Sequence, residues 1–193
     1  MDPDVAAVVE ELDAHRARFE SFCRSLSAAE LASPVPGSSW QVRDFIAHLG
    51  TIDVAVGEMF RAMHEGGRPA SIGPDGGKWD VDSWNDSEVE ARRGRGVEEL
   101  LAEAAATRAT LHAHLAALTA EDVVKTLKFG GDNKRGPAEI QLLGYLRGWC
   151  KHDPIHVADM LRGLPDRRTP DVLAWVDDPV IAGYQAQMNR KDS

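Results

Sequence analysis

The stretch GWCKHDPIHVADML, residues 148–161, decides how the chain is expected to fold and act. It has the apolar spacing of a buried helix, yet it carries His152 and His156 four residues apart, with Pro154 between them. At about 100° per residue, two such histidines lie about 40° apart on one helical face and about 6 Å apart along the axis. This spacing allows both imidazoles to bind one metal ion. Buried polar side chains cost stability unless they have partners, so the pair is a candidate metal site. Without further context, the same spacing is more often that of hydrogen-bonded core histidines.

Pro154 leaves two local geometries open. In a continuous helix it removes the hydrogen bond to the carbonyl of Cys150 and kinks the chain. If Asp153 instead caps a new helix that starts at Pro154, His152 could leave the face that it shares with His156. The periodicity does not choose between these two geometries.

Length and composition favour one globular domain. The 193 residues are 43% hydrophobic and 27% charged, which is enough for a sizeable core. The net charge of -9, without a basic stripe, argues against a nucleic-acid partner. Because no apolar run reaches the roughly 20 residues that span a bilayer, we expect a cytoplasmic protein. The cysteines, Cys23 and Cys150, lack a CxxC pattern and are predicted to be reduced and buried.

Four segments show the apolar spacing of amphipathic helices, which predicts an all-α four-helix bundle. They cover about residues 4–27, 40–65, 86–118 and 137–163. Two long crossover connections join the last three of them. The first, residues 66–83, is rich in Gly, Pro and Asp and reads as a long loop, and the second, residues 125–136, predicts a turn or short hairpin.

The chain after the fourth helix predicts a short helical extension. The apolar piece DVLAWVDDPVIAGY, residues 171–184, is long enough for one or two short helices that fold back. We therefore assign residues 1–165 to the bundle and residues 166–193 to a C-terminal extension packed on it.

A third histidine can join the pair from another helix. His48 lies three residues after Phe45 and four before Ile52, on the inward side of the second helix. A single histidine on an apolar seam is more often a hydrogen-bonded core residue than a ligand, so spacing alone does not assign it. His15, on the seam of the first helix, is a possible fourth ligand but fits a core or supporting role better. The remaining histidines are predicted to be solvated: His64, His112 and His114.

Two stretches of the chain resemble the DinB-like family. SSWQVRDFIAHLGTIDVAVGEMF, residues 38–60, looks like the second helix of that family, and KHDPIHVADMLRGL, residues 151–164, is similar to the HxxxH of its last helix. The resemblance covers about residues 1–165 in order and spacing. It implies a bundle in which His48, His152 and His156 bind a divalent metal, often within a homodimer. Three imidazoles suit zinc or nickel best.

A further stretch points to a thiol. WNDSEVEARRGRGVEELL, residues 84–101, is similar to a segment of actinobacterial members that include thiol-dependent relatives of mycothiol-dependent maleylpyruvate isomerase. The resemblance implies mycothiol, or a similar low-molecular-weight thiol, as cosubstrate. A metal with open positions keeps such a thiol as thiolate, which can attack a small electrophile in an S-transferase reaction, for example in detoxification. If water takes the open position, the same site is a hydrolase. A non-catalytic small-molecule binding or resistance protein is the third hypothesis.

Three carboxylates are candidates for support of the metal ligands. Asp53, Glu58 and Asp153 could each accept a hydrogen bond from the second ring nitrogen of a ligand histidine. The sequence does not choose among them.

Two polar residues near the long loop are candidates for substrate binding. Asn85 and Arg92 are seven residues apart on one helical face, where they could hold a carboxylate of the thiol or substrate. We favour the simpler interpretation, in which Arg92 pairs with Glu88 one turn away. Asn85 or Asp86 would then cap the third helix.

Overall fold

The computed structural model describes residues 1–64, 80–131 and 136–189, and this part of the chain is mostly helical. The helices are α1 Pro3–Arg24, α2 Ala28–Leu31, α3 Val42–His64, α4 Val81–Glu90, α5 Val97–Ala116, α6 Ala120–Val123, α7 Leu142–Trp149, α8 His152–Met160, α9 Pro170–Val176 and α10 Pro179–Asn189. A 3-10 turn covers Pro165–Arg167. Strands β1 Thr126–Phe129 and β2 Ala138–Gln141 pair in antiparallel fashion. The predicted all-α class is confirmed, with a hairpin in the second crossover.

The long helices occupy four positions around a common interior. α3 packs against α5 and α8, while α1 packs against α5, α7 and α8. α7 and α8 together fill the position predicted for a single fourth helix. Two clusters of buried apolar side chains lie inside, one around Phe19 and Phe45 and the other around Leu12 and Phe60. Burying side chains of this size stabilises the fold by about 1.5–3 kcal/mol each.

The third predicted helix is two helices. α4 begins at Val81 because the Asp80 side chain accepts hydrogen bonds from the backbone of its first turn, five residues before the predicted start. It ends at Glu90, and α5 begins only at Val97. The intervening chain contains Gly94 and Gly96, and glycine in a helix interior costs about 1 kcal/mol. The prediction of one helix over residues 86–118 was therefore wrong at this turn.

The fourth predicted helix is also interrupted. Its first turn is strand β2, which pairs with β1, and α7 starts only at Leu142. α7 ends at Trp149, and α8 starts at His152. The prediction of a continuous helix over residues 137–163 was therefore wrong at both points. The first turn pairs with β1 instead. The second break lies just before Pro154, which has no N–H to donate to the Cys150 carbonyl in an unbroken helix.

The C-terminal segment packs on the bundle through α8. α9 and α10 both contact α8, and Trp175 and Ile181 are buried. The Trp175 indole N–H donates to Nδ1 of His15 over 2.9 Å, which joins α9 to α1. These contacts agree with an extension that is folded onto the bundle. The assignment of residues 1–165 and 166–193 to two separate units stays a prediction.

Candidate metal centre

The break before α8 determines where the two histidines of the quoted stretch lie. Because α8 starts at His152, Pro154 occupies its third position, where a backbone N–H has no partner within the helix. The helix therefore tolerates the proline without a kink. His152 stays on the face of His156, and their Nε2 atoms are 3.2 Å apart. The geometry in which Asp153 caps a later helix and releases His152 does not occur.

His48 on α3 faces this pair. The potential ligand nitrogens of His48, His152 and His156 all lie within 4.8 Å of one another, and we call these residues the histidine triad. Bonds of about 2.0–2.1 Å to a tetrahedral zinc ion would place ligand nitrogens about 3.3 Å apart. The 3.2 Å separation within α8 agrees with that value. A shift of no more than about 1.5 Å would bring the third nitrogen into the same geometry.

The electrostatics of the triad favour a cation between the rings. Burial, with the nearby His156 and His48, lowers the pKa of His152 well below its usual value. A neutral imidazole is the form that binds metal. Two Nε2 atoms at 3.2 Å repel through their lone pairs unless a proton or a cation lies between them. The three residues therefore fit a divalent ion by both charge and distance.

A carboxylate on the same helix fixes the orientation of one imidazole. Asp159 Oδ2 lies 3.1 Å from Nδ1 of His156. Burial works to raise the pKa of Asp159, but its hydrogen bond to His156 and a second one from Gln185 hold the pKa below its usual value. An ionised carboxylate can only accept, so Nδ1 of His156 is the donor in this contact, and in the neutral imidazole Nε2 then keeps its lone pair. This is the tautomer that a metal at the triad requires.

Aromatic rings enclose the triad. Trp149 stacks on His152 with ring centroids 4.3 Å apart. Trp40 lies 5.2 Å from His48, and Phe45 lies 5.6 Å from His156. Each imidazole therefore has an aromatic neighbour that restricts its rotation and shields it from water.

The carboxylates of Asp53 and Asp153 contact arginines. Arg16 Nε donates to Asp153 over 2.7 Å, and Arg108 Nε donates to Asp53 over the same distance. Arg108 Nη2 also lies 3.5 Å from Asp153, and Arg16 Nη2 lies 3.5 Å from Asp53. All four side chains are buried, and we call them the arginine–aspartate cluster. Burial alone would raise the pKa of Asp153, but Arg16 and then Arg108 hold it below its usual value.

These contacts change the expected role of the two aspartates. We expected Asp53 or Asp153 to accept from a ligand ring, whereas the hydrogen bonds that the structure gives them come from Arg16 and Arg108. The carboxylate that meets a triad ring is that of Asp159. The side chain of Glu58, the third candidate, lies outside the described residues.

The two substrate-binding candidates have different surroundings. Arg92 bonds to Glu88 over 2.8 Å and to Glu103 over 2.9 Å, so its charge is already balanced. This is the simpler interpretation that we favoured, extended by a second carboxylate. Asn85 does not cap a helix, since Asp80 caps α4. Its Oδ1 atom is buried, and among the described residues it has no hydrogen-bond partner.

Among the described side chains, His15 and His112 lie outside the triad. His15 accepts from Trp175 and lies 3.5 Å from Glu11, which agrees with a role in packing. His112 pairs with Asp13 over 3.1 Å. The side chain of His64 falls outside the described residues.

Sequence reasoning missed some of the side chains that shape the site. Asp159 follows His156 by three residues, so the spacing that places side chains on one helical face could have identified it. Arg16 and Arg108 carried no such signal, because their partners lie 137 and 55 residues away.

Comparison with known proteins identifies the family. A profile of the mycothiol maleylpyruvate isomerase N-terminal domain family matches residues 12–140, about two thirds of the chain. The chain belongs to this family. A comparison with curated proteins found no match.

Solved structures show the same fold as this family member. Those of mycothiol-dependent maleylpyruvate isomerase and of a histidine-to-alanine mutant of it match with TM-scores of 0.61. The sequence identities are 12% and 11%, and the match covers 83% of this chain. The chain spans 63% of the length of those two chains. This confirms the resemblance to DinB-like bundles near that domain.

The family match contains only one member of the triad. His48 lies within residues 12–140, whereas His152 and His156 lie beyond them on α8. Among the described residues of this family member, no helix is both long and apolar enough to cross a bilayer.

Proposed function

We propose that this family member is a metal-dependent enzyme that transfers a low-molecular-weight thiol, mycothiol or a close analogue, to small electrophiles. The observation that carries the proposal is the histidine triad, whose ligand nitrogens lie within 4.8 Å of one another. The matched family is named for a mycothiol enzyme, which supports the thiol. Such a reaction would serve detoxification.

The triad supplies the site for the ion. His48, His152 and His156 would hold zinc or nickel through neutral ring nitrogens and leave positions open, as catalytic rather than structural sites do. When bound, such an ion supplies Lewis acidity that keeps a thiol as thiolate at neutral pH. Asp159 holds His156 in the required tautomer, and the stacked Trp149 holds the ring of His152.

The surrounding residues keep water from the rings of His48 and His156, which are buried. Trp40 and Phe45 cover His48 and His156 from the α3 side, and the Trp40 indole N–H donates to Asp86 on α4 over 2.7 Å. α4 is therefore tied to the edge of the site. Asn85, on the same helix, remains a candidate for holding a polar group of the thiol, whereas the balanced charge of Arg92 argues against that residue.

The proposal is tested with cobalt-substituted protein. Titration with mycothiol should produce a sulfur-to-cobalt charge-transfer band in the near ultraviolet, and His156→Ala should abolish it. His112→Ala is the matched control, because it removes a histidine paired with Asp13 outside the triad, and its band should be unchanged. The absence of this band with both mycothiol and glutathione would contradict the proposal that a thiol binds the metal as cosubstrate.

Turnover assays separate the remaining hypotheses. Mycothiol-dependent consumption of an activated electrophile supports a transferase, whereas thiol-independent hydrolysis of an activated ester makes the site a hydrolase. Maleylpyruvate isomerisation is assayed in parallel, because the matched structures carry that activity in their name. A ligand bound without turnover, and still bound after chelation, would favour a non-catalytic binding protein. The homodimer that the resemblance implies stays a prediction for analytical ultracentrifugation.

A further inference from the structure

We propose that Gln185, on helix α10 of the C-terminal segment, is a positioning residue of the metal centre. It acts through Asp159, whose carboxylate it holds against His156. The inference rests on the metal-binding part of the proposed function and is independent of the thiol and of the reaction.

Two hydrogen bonds in series form the connection. Gln185 Nε2 donates to Asp159 Oδ1 over 2.8 Å. The other oxygen of the same carboxylate, Oδ2, lies 3.1 Å from Nδ1 of His156. Because each carboxylate oxygen has its own partner, the plane of the carboxylate is fixed by both ends. A fixed carboxylate holds the imidazole in one tautomer and one orientation, with Nε2 towards the triad.

Among the described residues, Arg162 also lies near the same oxygen. Its Nη2 atom lies 3.4 Å from Asp159 Oδ1, clearly farther than the Gln185 amide, and its side chain is one-third exposed. At this distance the guanidinium supplies charge but a weaker directional constraint. The amide of Gln185 is therefore the group that sets the rotation of the carboxylate.

α10 is anchored well enough to act on the site. Ile181 is 3% exposed, so the first turn of the helix is held by burial. Asp178, just before α10, pairs with Lys151 over 3.3 Å, and Lys151 is the residue that precedes α8. The extension thus contacts α8 on both sides of the two histidines, at Lys151 and at Asp159. A rigid support of this kind is what metal ligands need to keep their geometry.

The consequence is that the C-terminal extension is part of the site. Gln185 lies outside residues 12–140, over which the family profile matches, and beyond the bundle as the sequence delimits it. Partners that orient metal ligands typically change metal affinity 10–100-fold when they are removed. Because Arg162 retains part of the support, we expect the low end of this range for Gln185, about 10-fold.

The test compares Gln185→Met with Val180→Ala in the full chain. Gln185→Met keeps the length of the side chain and removes the amide donor, whereas Val180 is 44% exposed on the same helix and serves as the control. Zinc affinity is measured by competition with a chromogenic chelator. We expect the Kd to rise about 10-fold in Gln185→Met and to stay within twofold in Val180→Ala.

A second readout needs no metal. Long-range ¹H–¹⁵N spectra of the chelated protein report which nitrogen of His156 carries the proton. The Nδ1–H form should dominate in the unmodified protein and lose population in Gln185→Met. If Gln185→Met does not fold, as judged by circular dichroism, Gln185→Glu takes its place, since it keeps the shape but sets a second carboxylate against Asp159.

The outcomes are distinct. Unchanged zinc affinity and an unchanged tautomer in the Gln185 variants would overturn the positioning role while leaving the metal site intact. Failure of the unmodified protein to bind zinc, nickel or cobalt would overturn both this inference and the metal-dependent function. A weakened affinity with a shifted tautomer supports the inference even if no thiol ever binds.

Discussion

Two polar clusters meet at α8, and they differ in how the charges of their members are balanced. The arginine–aspartate cluster pairs two cations with two anions, at distances down to 2.7 Å, so its charges satisfy one another. The histidine triad brings together three groups of the same kind, two of which place Nε2 atoms 3.2 Å apart. The first cluster balances its charges within the chain and joins α1, α3, α5 and α8. The second has no carboxylate among its three members, so a proton or a cation must lie between its rings, which supports the proposed metal site.

Among the substitutions that distinguish the two clusters, Arg108→Ala should cause the largest loss in the free energy of unfolding. Removing one partner of a buried ion pair leaves uncompensated charge, here on Asp53 and Asp153, and typically costs 3–5 kcal/mol. We expect the free energy of unfolding of the chelated protein to fall by about that amount in denaturant titrations. Arg168→Ala, at an exposed position, should change it by no more than about 0.5 kcal/mol. A loss below about 1 kcal/mol for Arg108→Ala would contradict the charge balance assigned to this cluster.

Metal saturation should stabilise the protein somewhat less. Free zinc at 100 times its Kd adds about 2.7 kcal/mol to the free energy of unfolding, provided that the unfolded chain does not bind it. His112→Ala should show the same gain, since that residue lies outside the triad, and His156→Ala should show none. Thermal melts with and without zinc measure the difference. An equal gain in His156→Ala would place the ion elsewhere.

Without metal, the triad should contribute little to stability. His152→Ala in chelated protein removes the contact with His156 and the stacking on Trp149. It is expected to change the free energy of unfolding by no more than about 1 kcal/mol, the lower part of the usual range for substitutions. Denaturant titration in excess chelator measures this. A loss comparable to that of Arg108→Ala would mean that both clusters are structural and would remove the contrast between them.

The smallest effect on the free energy of unfolding is expected for the partly exposed ion pair of Arg92 and Glu103, which serves as a comparison for the two buried clusters. The hydrogen bond from Arg92 holds the pKa of Glu103 below its usual value. A depressed carboxyl pKa contributes stability above the unfolded value, about pH 4.3, and the contribution is lost as the pH falls through the folded pKa. Glu103→Gln should therefore cost no more than about 1 kcal/mol at pH 7, since partial exposure weakens such pairs. Unfolding measured at several pH values should show the two proteins converging below about pH 4.

The sequence predicted the histidine pair better than its surroundings. The four-residue spacing of His152 and His156 is a local property. Both residues lie on α8, so the unpredicted break between α7 and α8 does not change their relative position. His48 lies about a hundred residues away. Its inward position allowed it to join the pair, but only the family resemblance assigned it as a ligand. The helix boundary at Lys151 could not be read from periodicity, because α7 and α8 are both amphipathic and only Pro154 marks the interruption.

Long-range polar contacts limited the prediction further. Arginines are mostly exposed in proteins, so one sequence gives no reason to bury Arg16 and Arg108. Asp53 and Asp153 then satisfy these arginines instead of a ligand ring. The contact of Gln185 with Asp159 could not be predicted from the sequence either, because a single amide in a short C-terminal helix belongs to no recognisable motif.

The most direct test of the account is the metal stoichiometry of the triad. Chelated protein is titrated with zinc by calorimetry, and the bound ion is counted by elemental analysis after gel filtration. We predict about one ion per chain for the unmodified protein and for His112→Ala, and an affinity weakened at least 100-fold for His48→Ala and His156→Ala, beyond the 10–100-fold typical of supporting residues. Full occupancy in a folded His156→Ala or His48→Ala variant would contradict the assignment of these three histidines as the metal site.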